Sequence, residues 1–286
     1  MSNNNQKVWF ITGSSTGFGH EIAKQALKRG YRVVATARDP QKLQQLIEAY
    51  PQQAIALSLD VTDKTQIEQA VKDTINTFGQ IDVLVNNAGY GSFGAIEEVT
   101  EQEIRYQFEV NFFGLVNVTR AVLPVMRQAR SGHILMMSSL AGQNARAGYG
   151  YYAATKFAVE AVSESLAQEV APLNINITIV EPSGFRTDFN GRSLRTPDNR
   201  ISDYADTVGV FLDQAVAADG KQSGDPVKAV AAMIELVESN NPSLRLPLGE
   251  GAVEAIRVKL RSVQQDVDRH EQTAIGADSP SATTVK

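Results

Sequence analysis

Short apolar segments alternate with longer segments of helical periodicity over the first 180 residues, and this alternation restricts the fold more than any other feature. The apolar runs lack polar alternation, which indicates strands that are buried on both faces. They are Val8–Ile11, Arg32–Thr36, Ile55–Leu59, Val83–Val85, Ile134–Met137 and Ile175–Val180. The helical segments between them are Glu21–Arg29, Lys42–Ala49, Gln66–Phe78, Ile104–Gln128 and Thr155–Val170. The pattern predicts a single α/β domain, a Rossmann-like, doubly wound parallel sheet of about seven strands with helices on both faces.

The regular alternation ends after Val180. A polar, glycine-bearing stretch follows, and we interpret residues 185–225 as a functional loop, because long loops in compact domains are usually functional. Helical periodicity returns at Val227–Val237, a last strand is predicted at Leu244–Leu248, and a last helix at Glu250–Arg269. We therefore assign residues 1–270 to the domain and expect residues 271–286 to form a flexible tail.

The composition excludes several classes of protein. The net charge is −5, which argues against nucleic acid or an anionic membrane as the main partner. There is no cysteine, and His20, His133 and His270 are far apart in the sequence, so no metal site is predicted. The first seven residues lack the apolar core of a signal peptide, and no run of 18 apolar residues occurs. These features predict a soluble, cytoplasmic protein without a membrane span.

The first strand leads directly into a glycine-rich turn, and a helix follows. Glycines allow the backbone to approach a pyrophosphate, and the N–H groups at a helix N-terminus attract anions. The spacing is G-x-x-x-G-x-G instead of the usual G-x-G-x-x-G, and a turn without a ligand is the alternative interpretation. The position in a first βα unit favours dinucleotide binding, by Gly13, Ser14, Ser15, Thr16, Gly17, Phe18 and Gly19.

The residues at the end of the second predicted strand indicate which dinucleotide binds. An NAD-binding fold usually offers an acidic residue to the adenosine ribose about 20 residues after the glycines. Here the strand ends with Ala37 and Arg38, and a guanidinium suits a ribose 2′-phosphate through bidentate contacts. The sequence therefore predicts NADP(H), with NAD(H) less favoured, although Arg38 alone could be an ordinary surface arginine.

A tyrosine and a lysine four residues apart, Tyr152 and Lys156, lie on one face of a predicted helix. An ammonium near a phenol stabilises the phenolate and lowers the phenol's pKa, which makes a general acid/base usable near neutral pH. A single Tyr-x-x-x-Lys is common by chance. The neighbouring Tyr149 and Tyr151 have no lysine at the fourth position, so only Tyr152 has this partner.

The chain resembles the short-chain dehydrogenase/reductase family through a series of motifs in the family's order. They are Thr12-Gly13-x-x-x-Gly17-x-Gly19, Asp60-Val61, Asn86-Asn87-Ala88-Gly89, Asn111, Ser138-Ser139, Tyr152-x-x-x-Lys156 and Pro182…Thr187. They extend over residues 7–190, and their joint occurrence is far more specific than any one motif. The resemblance implies an NADP-dependent oxidoreductase that transfers a hydride between the nicotinamide and a carbonyl or secondary-alcohol substrate.

The resemblance also implies the role of each catalytic residue. Tyr152 would exchange the proton with the carbonyl or alcohol oxygen, and Lys156 would lower the tyrosine's pKa and bind the nicotinamide ribose. Ser139 would orient the substrate, with Ser138 as the second choice. Asn111 would hold a water molecule in the proton relay, and its alternative role is a helix-interior asparagine bonded to backbone.

The remaining residues that the resemblance implies are contacts to the cofactor. They are Asp60 and Val61 at the adenine, Asn87, Ala88 and Gly89 beside the fourth strand, and Pro182, Phe185 and Thr187 near the nicotinamide. One departure from the family's motif weakens the assignment of Pro182, Phe185 and Thr187. The family usually has Pro-Gly where this chain has Pro182-Ser183-Gly184, although Phe185 and Thr187 still follow.

Two other functions compete with this one. A catalytically silent, NADP(H)-binding regulatory protein should lack the tyrosine, the lysine or the serine, and all three are present. Epimerase or dehydratase chemistry on a nucleotide sugar usually comes with longer chains and another glycine spacing. The resemblance also implies that residues 185–225 form the substrate-binding loop, and the apolar residues of this loop predict an apolar small-molecule substrate. Excess apolar surface on helices Ile104–Gln128 and Thr155–Val170 predicts a homodimer or homotetramer, as in the family.

Overall fold

A computed structural model of the protein describes residues 6–279, which form a seven-stranded parallel sheet with helices on both faces. The strands are β1 (Val8–Ile11), β2 (Arg32–Ala37), β3 (Ala54–Ser58), β4 (Val83–Asn86), β5 (Gly91–Ser92), β6 (Gly132–Met137), β7 (Ile175–Pro182), β8 (Leu194–Arg195) and β9 (Arg245–Leu248). The main sheet has the order β3-β2-β1-β4-β6-β7-β9, and β5 pairs separately with β8. The predicted Rossmann-like, doubly wound sheet of about seven strands is therefore confirmed.

Nine α-helices connect and cover these strands within residues 6–279. They are α1 (Gly17–Lys28), α2 (Gln44–Ala49), α3 (Lys64–Phe78), α4 (Glu101–Phe108), α5 (Leu115–Ala129), α6 (Gly150–Val170), α7 (Val210–Ala217), α8 (Pro226–Glu238) and α9 (Glu250–Ile275). Local signals set several ends. The Asp63 carboxylate accepts hydrogen bonds from the first N–H groups of α3, and Gly79 ends that helix with a positive φ. Thr100 and Glu103 form a capping box at the start of α4.

The strands are buried on both faces because alternate side chains enter two separate cores. Trp9 and Ile11 of β1 pack with the cluster beneath α1 and α8. Val8 and Phe10 of the same strand pack with the cluster beneath α3 and α5. All four side chains are fully buried. This two-sided burial explains why the strands are continuously apolar in the sequence.

Two helices differ from their predicted bounds at the edge of the sheet that carries the site. Helix α1 begins at Gly17, four residues before the predicted Glu21, so part of the glycine turn is helical. The predicted helix Ile104–Gln128 is interrupted by a π-helical segment at Glu109–Gly114. A Cβ on Gly114 would lie 2.7 Å from the Val61 side chain, so only glycine lets this segment approach so closely. Such segments frequently occur at functional sites.

The C-terminal helix is longer than predicted. It continues to Ile275, so residues 271–275 of the predicted tail are helical, and residues 280–286 of that tail lie outside the described residues. No helix within residues 6–279 combines the length and the apolar character that crossing a membrane requires.

Candidate active site

A cavity lies at the carboxyl ends of the parallel strands, where the strand order reverses between β1 and β4. Ligands of doubly wound sheets bind in this crevice. The cavity has a volume of about 630 Å³, within the range of small-molecule sites. Most of the residues predicted from the sequence line it. They are Gly13, Ser15, Thr16, Gly17, Phe18, Arg38, Asp60, Val61, Asn87, Ala88, Gly89, Ser139, Tyr152, Lys156, Pro182, Phe185 and Thr187.

The glycine turn is attached to β4 through Thr12 and Asn87. The Thr12 hydroxyl accepts hydrogen bonds from the backbone N–H groups of Asn87 and Ala88, at 2.9 and 3.0 Å. The Asn87 amide donates to the carbonyl oxygens of Thr12 and Gly13. These bonds fix the turn before any ligand arrives, and they leave the N-terminus of α1 directed at the cavity. Such a preformed turn at a helix N-terminus suits a pyrophosphate.

Three residues predicted to belong to the site lie behind the cavity wall. Ser14 is fully buried, and its hydroxyl donates to the Ile11 carbonyl and accepts from Thr36 N–H, so it joins the turn to β2. Gly19 packs against the turn itself, where a Cβ would lie 2.4 Å from the Gly13 carbonyl oxygen. Asn111 lies in the π-helical segment. Its amide bonds both backbone groups of Tyr90, at 3.0 and 2.8 Å.

The outer part of the cavity fits the adenosine end of a dinucleotide. Arg38 is exposed at the end of β2 and lines the cavity beside Ala37. Asp60 follows β3 and accepts two hydrogen bonds from Thr62, at 3.0 and 2.8 Å. Asp60 thus stabilises the turn after β3 and also lines the cavity. Within residues 6–279, no group of three or more His, Asp or Glu side chains is arranged to hold a metal ion.

Three polar side chains converge at the inner end of the cavity. Tyr152 and Lys156 lie one turn apart on α6, both are less than 8% exposed, and the Lys156 Nζ is 5.7 Å from the centre of the tyrosine ring. The Lys156 ammonium donates a 2.7 Å hydrogen bond to the Met137 carbonyl at the end of β6. Ser139 follows that strand, and its hydroxyl accepts from Ala141 N–H at 3.1 Å. Helix α6 and strand β6 together position this group.

The pKa values in this group differ from the sequence prediction. Burial raises the pKa of Tyr152 to about 12, while the hydrogen bond to Ser139 lowers it. Burial also lowers the pKa of Lys156 to about 8, and the nearby Glu160 opposes that change. Lys156 was predicted to lower the pKa of Tyr152. In this structure burial is the largest influence on the pKa of Tyr152, and the net change is upward.

A partly buried ionic cluster around Arg245, behind Lys156, was missed by sequence reasoning. Arg245 of β9 bonds Glu160 and Glu164 of α6 and also Glu181 of β7. Burial raises the pKa of Glu160 to about 7, while the nearby Ser138 hydroxyl and the charge of Arg245 lower it. Glu160 is only 5% exposed. The cluster joins three segments distant in sequence, so no local pattern signals it.

The other half of the cavity has an aromatic wall. Phe93 packs against Tyr149, Phe211 and the ring of Tyr152, with centroid distances of 5.5 to 5.7 Å. Phe189 lies 5.7 Å from the Tyr152 ring. Phe189 and Phe211 belong to the predicted loop 185–225, whereas Phe93 and Tyr149 were not expected here. Tyr151 turns away, and its hydroxyl donates to the Ile96 carbonyl.

The loop 185–225 also reaches back to the cofactor half. Thr187 lies above the glycine turn, with its Cβ 3.6 Å from the position of a Cβ on Gly17. The Arg192 guanidinium donates to the Thr16 hydroxyl. Arg195 lies over the Tyr90 ring at 5.0 Å. The shifted glycine after Pro182 therefore does not displace Thr187 from the cavity, but the two arginines were not singled out by any sequence motif.

Comparisons with known proteins agree with this arrangement. The sequence model of one family, described as short chain dehydrogenase, matches residues 7–198. The oxidoreductase BOA17 of Botryotinia fuckeliana is 42% identical over 87% of this chain and 90% of its own length. The 3-ketodihydrosphingosine reductase of Bacteroides thetaiotaomicron is 38% identical over 85% of this chain and 88% of its own length. A short-chain dehydrogenase structure from Streptomyces avermitilis superposes with a TM-score of 0.91 and 43% identity, covering 97% of this chain and all of the other.

Solved structures with this fold hold nicotinamide cofactors. An alcohol dehydrogenase from Thermococcus sibiricus, complexed with 5-hydroxy-NADP, has a TM-score of 0.71 and 25% identity over 85% of this chain and 96% of its own. A Burkholderia phymatum protein in complex with NAD has a TM-score of 0.77 and 20% identity over the full length of both chains. Both of these proteins share the fold of this chain.

Proposed function

The chain belongs to the short-chain dehydrogenase family, and on that premise we propose that it transfers a hydride between NADP(H) and a carbonyl or secondary-alcohol carbon of an apolar small molecule. The observation that carries this proposal is the convergence of Tyr152, Ser139 and Lys156 between a dinucleotide half and an aromatic half of one cavity. The nicotinamide, when bound, supplies the hydride. The residues of the chain supply binding, orientation and one proton.

Tyr152 is the proposed acid/base. A phenol whose pKa is raised to about 12 is protonated at neutral pH, so it is ready to donate to a carbonyl oxygen. Ser139 is placed to donate to the same oxygen and to hold it near the phenol. This protonation state favours the direction of reduction, as does the proposed use of NADP(H). The Bacteroides relative, by its name, reduces a ketone, which supports the same direction.

Lys156 and Asn111 support this chemistry in different ways. The Lys156 ammonium is held by the Met137 carbonyl and faces the cavity, where it would bind the ribose next to the nicotinamide. Asn111 bonds both backbone groups of Tyr90, so it fixes the turn after Gly89 from behind. We propose that Asn111 also anchors the water of the proton relay, as the family resemblance implies.

Arg38 supports the choice of NADP(H). Its guanidinium lies on the cavity wall beyond the small Ala37, where a 2′-phosphate would lie. The aromatic wall supports an apolar substrate, and the protein is proposed to act in the cytoplasm. Phe113 and Phe157 are 47% and 42% exposed. They lie on the two helical segments that the sequence predicts to form a subunit interface, Ile104–Gln128 and Thr155–Val170. This exposure supports a homodimer or homotetramer, because large apolar side chains are favoured at subunit interfaces.

The function is tested by following NADPH oxidation with a panel of apolar ketones and aldehydes. Tyr152→Phe keeps the ring and its packing but removes the ionisable oxygen, so kcat should fall by about 10²–10⁴-fold while NADPH affinity changes little. Lys156→Ala should reduce both kcat and the affinity for NADPH. Tyr151→Phe is the matched control and should keep turnover within about threefold, since its hydroxyl faces away from the cavity. Near-normal turnover by Tyr152→Phe would contradict the assignment. NADPH binding without turnover by the wild type would favour a regulatory role.

A further inference from the structure

Helix α9 extends well beyond the body of the protein. Ala252 and Ala255 are buried, and the partly buried Ile256 is the last residue of the helix in contact with the body. Every residue from Arg257 to Ile275 is exposed. At a rise of about 1.5 Å per residue, this exposed part is about 28 Å long.

A helix surrounded by water is rarely stable alone. Nucleation is unfavourable, and in proteins most helical stability comes from packing an apolar face against another element. The exposed part of α9 has Leu260, Val263 and Val267, which are 61%, 45% and 57% exposed. No element within residues 6–279 covers these side chains. The helix therefore has an apolar face that a partner should cover.

Leu260, Val263 and Val267 belong to a seven-residue repeat along α9. The stripe consists of Val253, Ile256, Leu260, Val263, Val267 and Ala274, with the polar His270 at one of its positions, and the spacings alternate between three and four. This is the a/d pattern of a coiled coil, in which two helices pack along the stripe. Ile275, 61% exposed, lies outside the stripe. Val258 is also exposed, at 48%, but it lies on the opposite face of the helix. The stripe thus selects a helical partner over a flat surface.

The charged residues that flank the exposed stripe differ between its two ends. Arg257 and Lys259 lie in the half nearer the body, while Asp266 and Glu271 lie in the far half. Arg261 is paired with Glu254, and Arg269 is paired with Asp266, within the helix itself. A second α9 in the opposite direction places each basic segment beside an acidic one. A parallel second copy would place like charges together, which is unfavourable at the flanks of a coiled coil.

We propose that α9 is an interaction surface for a second copy of this chain, and that the two α9 helices pair in antiparallel orientation along this stripe. In this register Val263 packs against Val267 of the second copy. Leu260 packs against His270 of the second copy, and Arg257 lies beside Glu271 of the second copy. The pairing keeps the two catalytic bodies at opposite ends of the helix pair. It is separate from the proposed contact through Phe113 and Phe157.

The first experiment measures the mass of the full chain by light scattering at micromolar concentration. Val263→Asp places a carboxylate in the stripe, and its mass should be half that of the wild type. Val258→Asp is the matched control on the opposite face and should keep the wild-type mass. Halving is expected whether the wild type is a dimer or, with the second contact, a tetramer. Equal masses for the wild type and Val263→Asp would overturn the proposal.

The second experiment tests the orientation by exchanging charges. Arg257→Glu makes two symmetric pairs repulsive, so the dissociation constant of the helix pair should rise roughly 4- to 30-fold at low salt. The double variant Arg257→Glu/Glu271→Arg should restore it to within about threefold of the wild-type value, because reciprocal pairs re-form only in the antiparallel arrangement. If the double variant had a dissociation constant as high as that of Arg257→Glu, the antiparallel orientation would be overturned.

A third measurement separates self-association from binding to a lipid surface. The polar side of α9 carries acidic as well as basic residues, unlike the cationic face of a helix that binds anionic membranes. The full chain should therefore remain in solution with vesicles of phosphatidylserine and phosphatidylcholine. Co-sedimentation that Val263→Asp abolishes, with no change in mass, would overturn the proposal. Turnover by Val263→Asp should match that of Val258→Asp, because neither residue approaches the cavity.

Discussion

The two halves of the cavity are built in different ways. The cofactor half is formed by backbone at the ends of β1, β2, β3 and β4, and hydrogen bonds such as those of Thr12 and Asn87 hold it. The substrate half is formed by side chains, chiefly Phe93, Tyr149 and Phe211, which pack on one another. Tyr152, the proposed acid/base, lies between them, with its ring against Phe93 and its hydroxyl near Ser139.

This difference indicates how each half can change. A backbone turn that is fixed by hydrogen bonds and close approach tolerates few substitutions, because a displaced atom shifts the whole turn. A wall of side chains on short segments can accept other side chains while the sheet remains intact. We therefore expect substitutions in the cofactor half to change cofactor affinity sharply, and substitutions in the substrate half to change substrate KM moderately.

Among the tests that compare the two halves, the largest effect is expected from Arg38, which we propose selects between NADPH and NADH. NADPH should be preferred over NADH by at least about tenfold, and Arg38→Ala should reduce the ratio of their kcat/KM values roughly 10- to 150-fold, the value of a charge-assisted contact. Lys42→Ala is the neighbouring control. Its ammonium is already 3.9 Å from the Asp39 carboxylate, so the ratio should change far less. Equal use of both cofactors by the wild type would rule out the NADP assignment.

The next effect compares two glycines, Gly19 behind the glycine turn and Gly184 after β7. A Cβ on Gly19 would lie 2.4 Å from the Gly13 carbonyl oxygen and 2.5 Å from the Asn87 amide nitrogen. Gly19→Ala should therefore displace the turn at a cost of about 1–3 kcal/mol, weakening NADPH binding roughly 5- to 150-fold by fluorescence titration. A Cβ on Gly184 would lie 3.6 Å from the Gln222 side chain, an ordinary contact, so Gly184→Ala should weaken NADPH binding less. If Gly184→Ala were the more damaging change, close approach of backbone would not be what fixes the cofactor half.

The smallest effect is expected in the aromatic wall. Phe211→Ala removes ring contacts to Phe93 and Tyr149, at 5.7 and 5.2 Å. Aromatic contacts contribute about 0.5–1.5 kcal/mol, so the KM of a bulky apolar substrate should rise roughly 2- to 13-fold. The dissociation constant of NADPH should be unchanged, which titration of the same variant checks. A loss of NADPH affinity equal to the loss for substrate would show that the two halves are coupled.

The cofactor half was the more predictable part of the site. All its residues except Ser14 and Gly19 line the cavity as predicted, because strand ends and turns are specified by short local patterns. Ser14 and Gly19 were included for their place in the motif, and motif spacing does not reveal which residue of a turn faces the ligand. The helix bounds shifted at Gly17 and at the π-helical segment for a similar reason, since tertiary contacts determine where a turn joins a helix.

The residues of the substrate half and of the ionic cluster around Arg245 were less predictable from the sequence. Phe189 and Phe211 came from the loop expected to form the pocket, but Tyr204 of the same loop bonds the exposed Glu97 instead. Phe93 follows β5, which is only two residues long and pairs with β8 from the loop 185–225. Such short, distant pairings leave no periodicity to read.

The sequence by itself determined the doubly wound sheet, the position of the glycine turn and the single tyrosine with a lysine one turn away. These follow from local periodicity and spacing, which the backbone converts directly into strands, turns and helix faces. Only the tertiary structure decided the pKa of Tyr152, the partners of Glu160 and the composition of the aromatic wall. Those properties depend on burial and on contacts between segments far apart in the chain, such as Arg245 with Glu160 and Phe211 with Phe93.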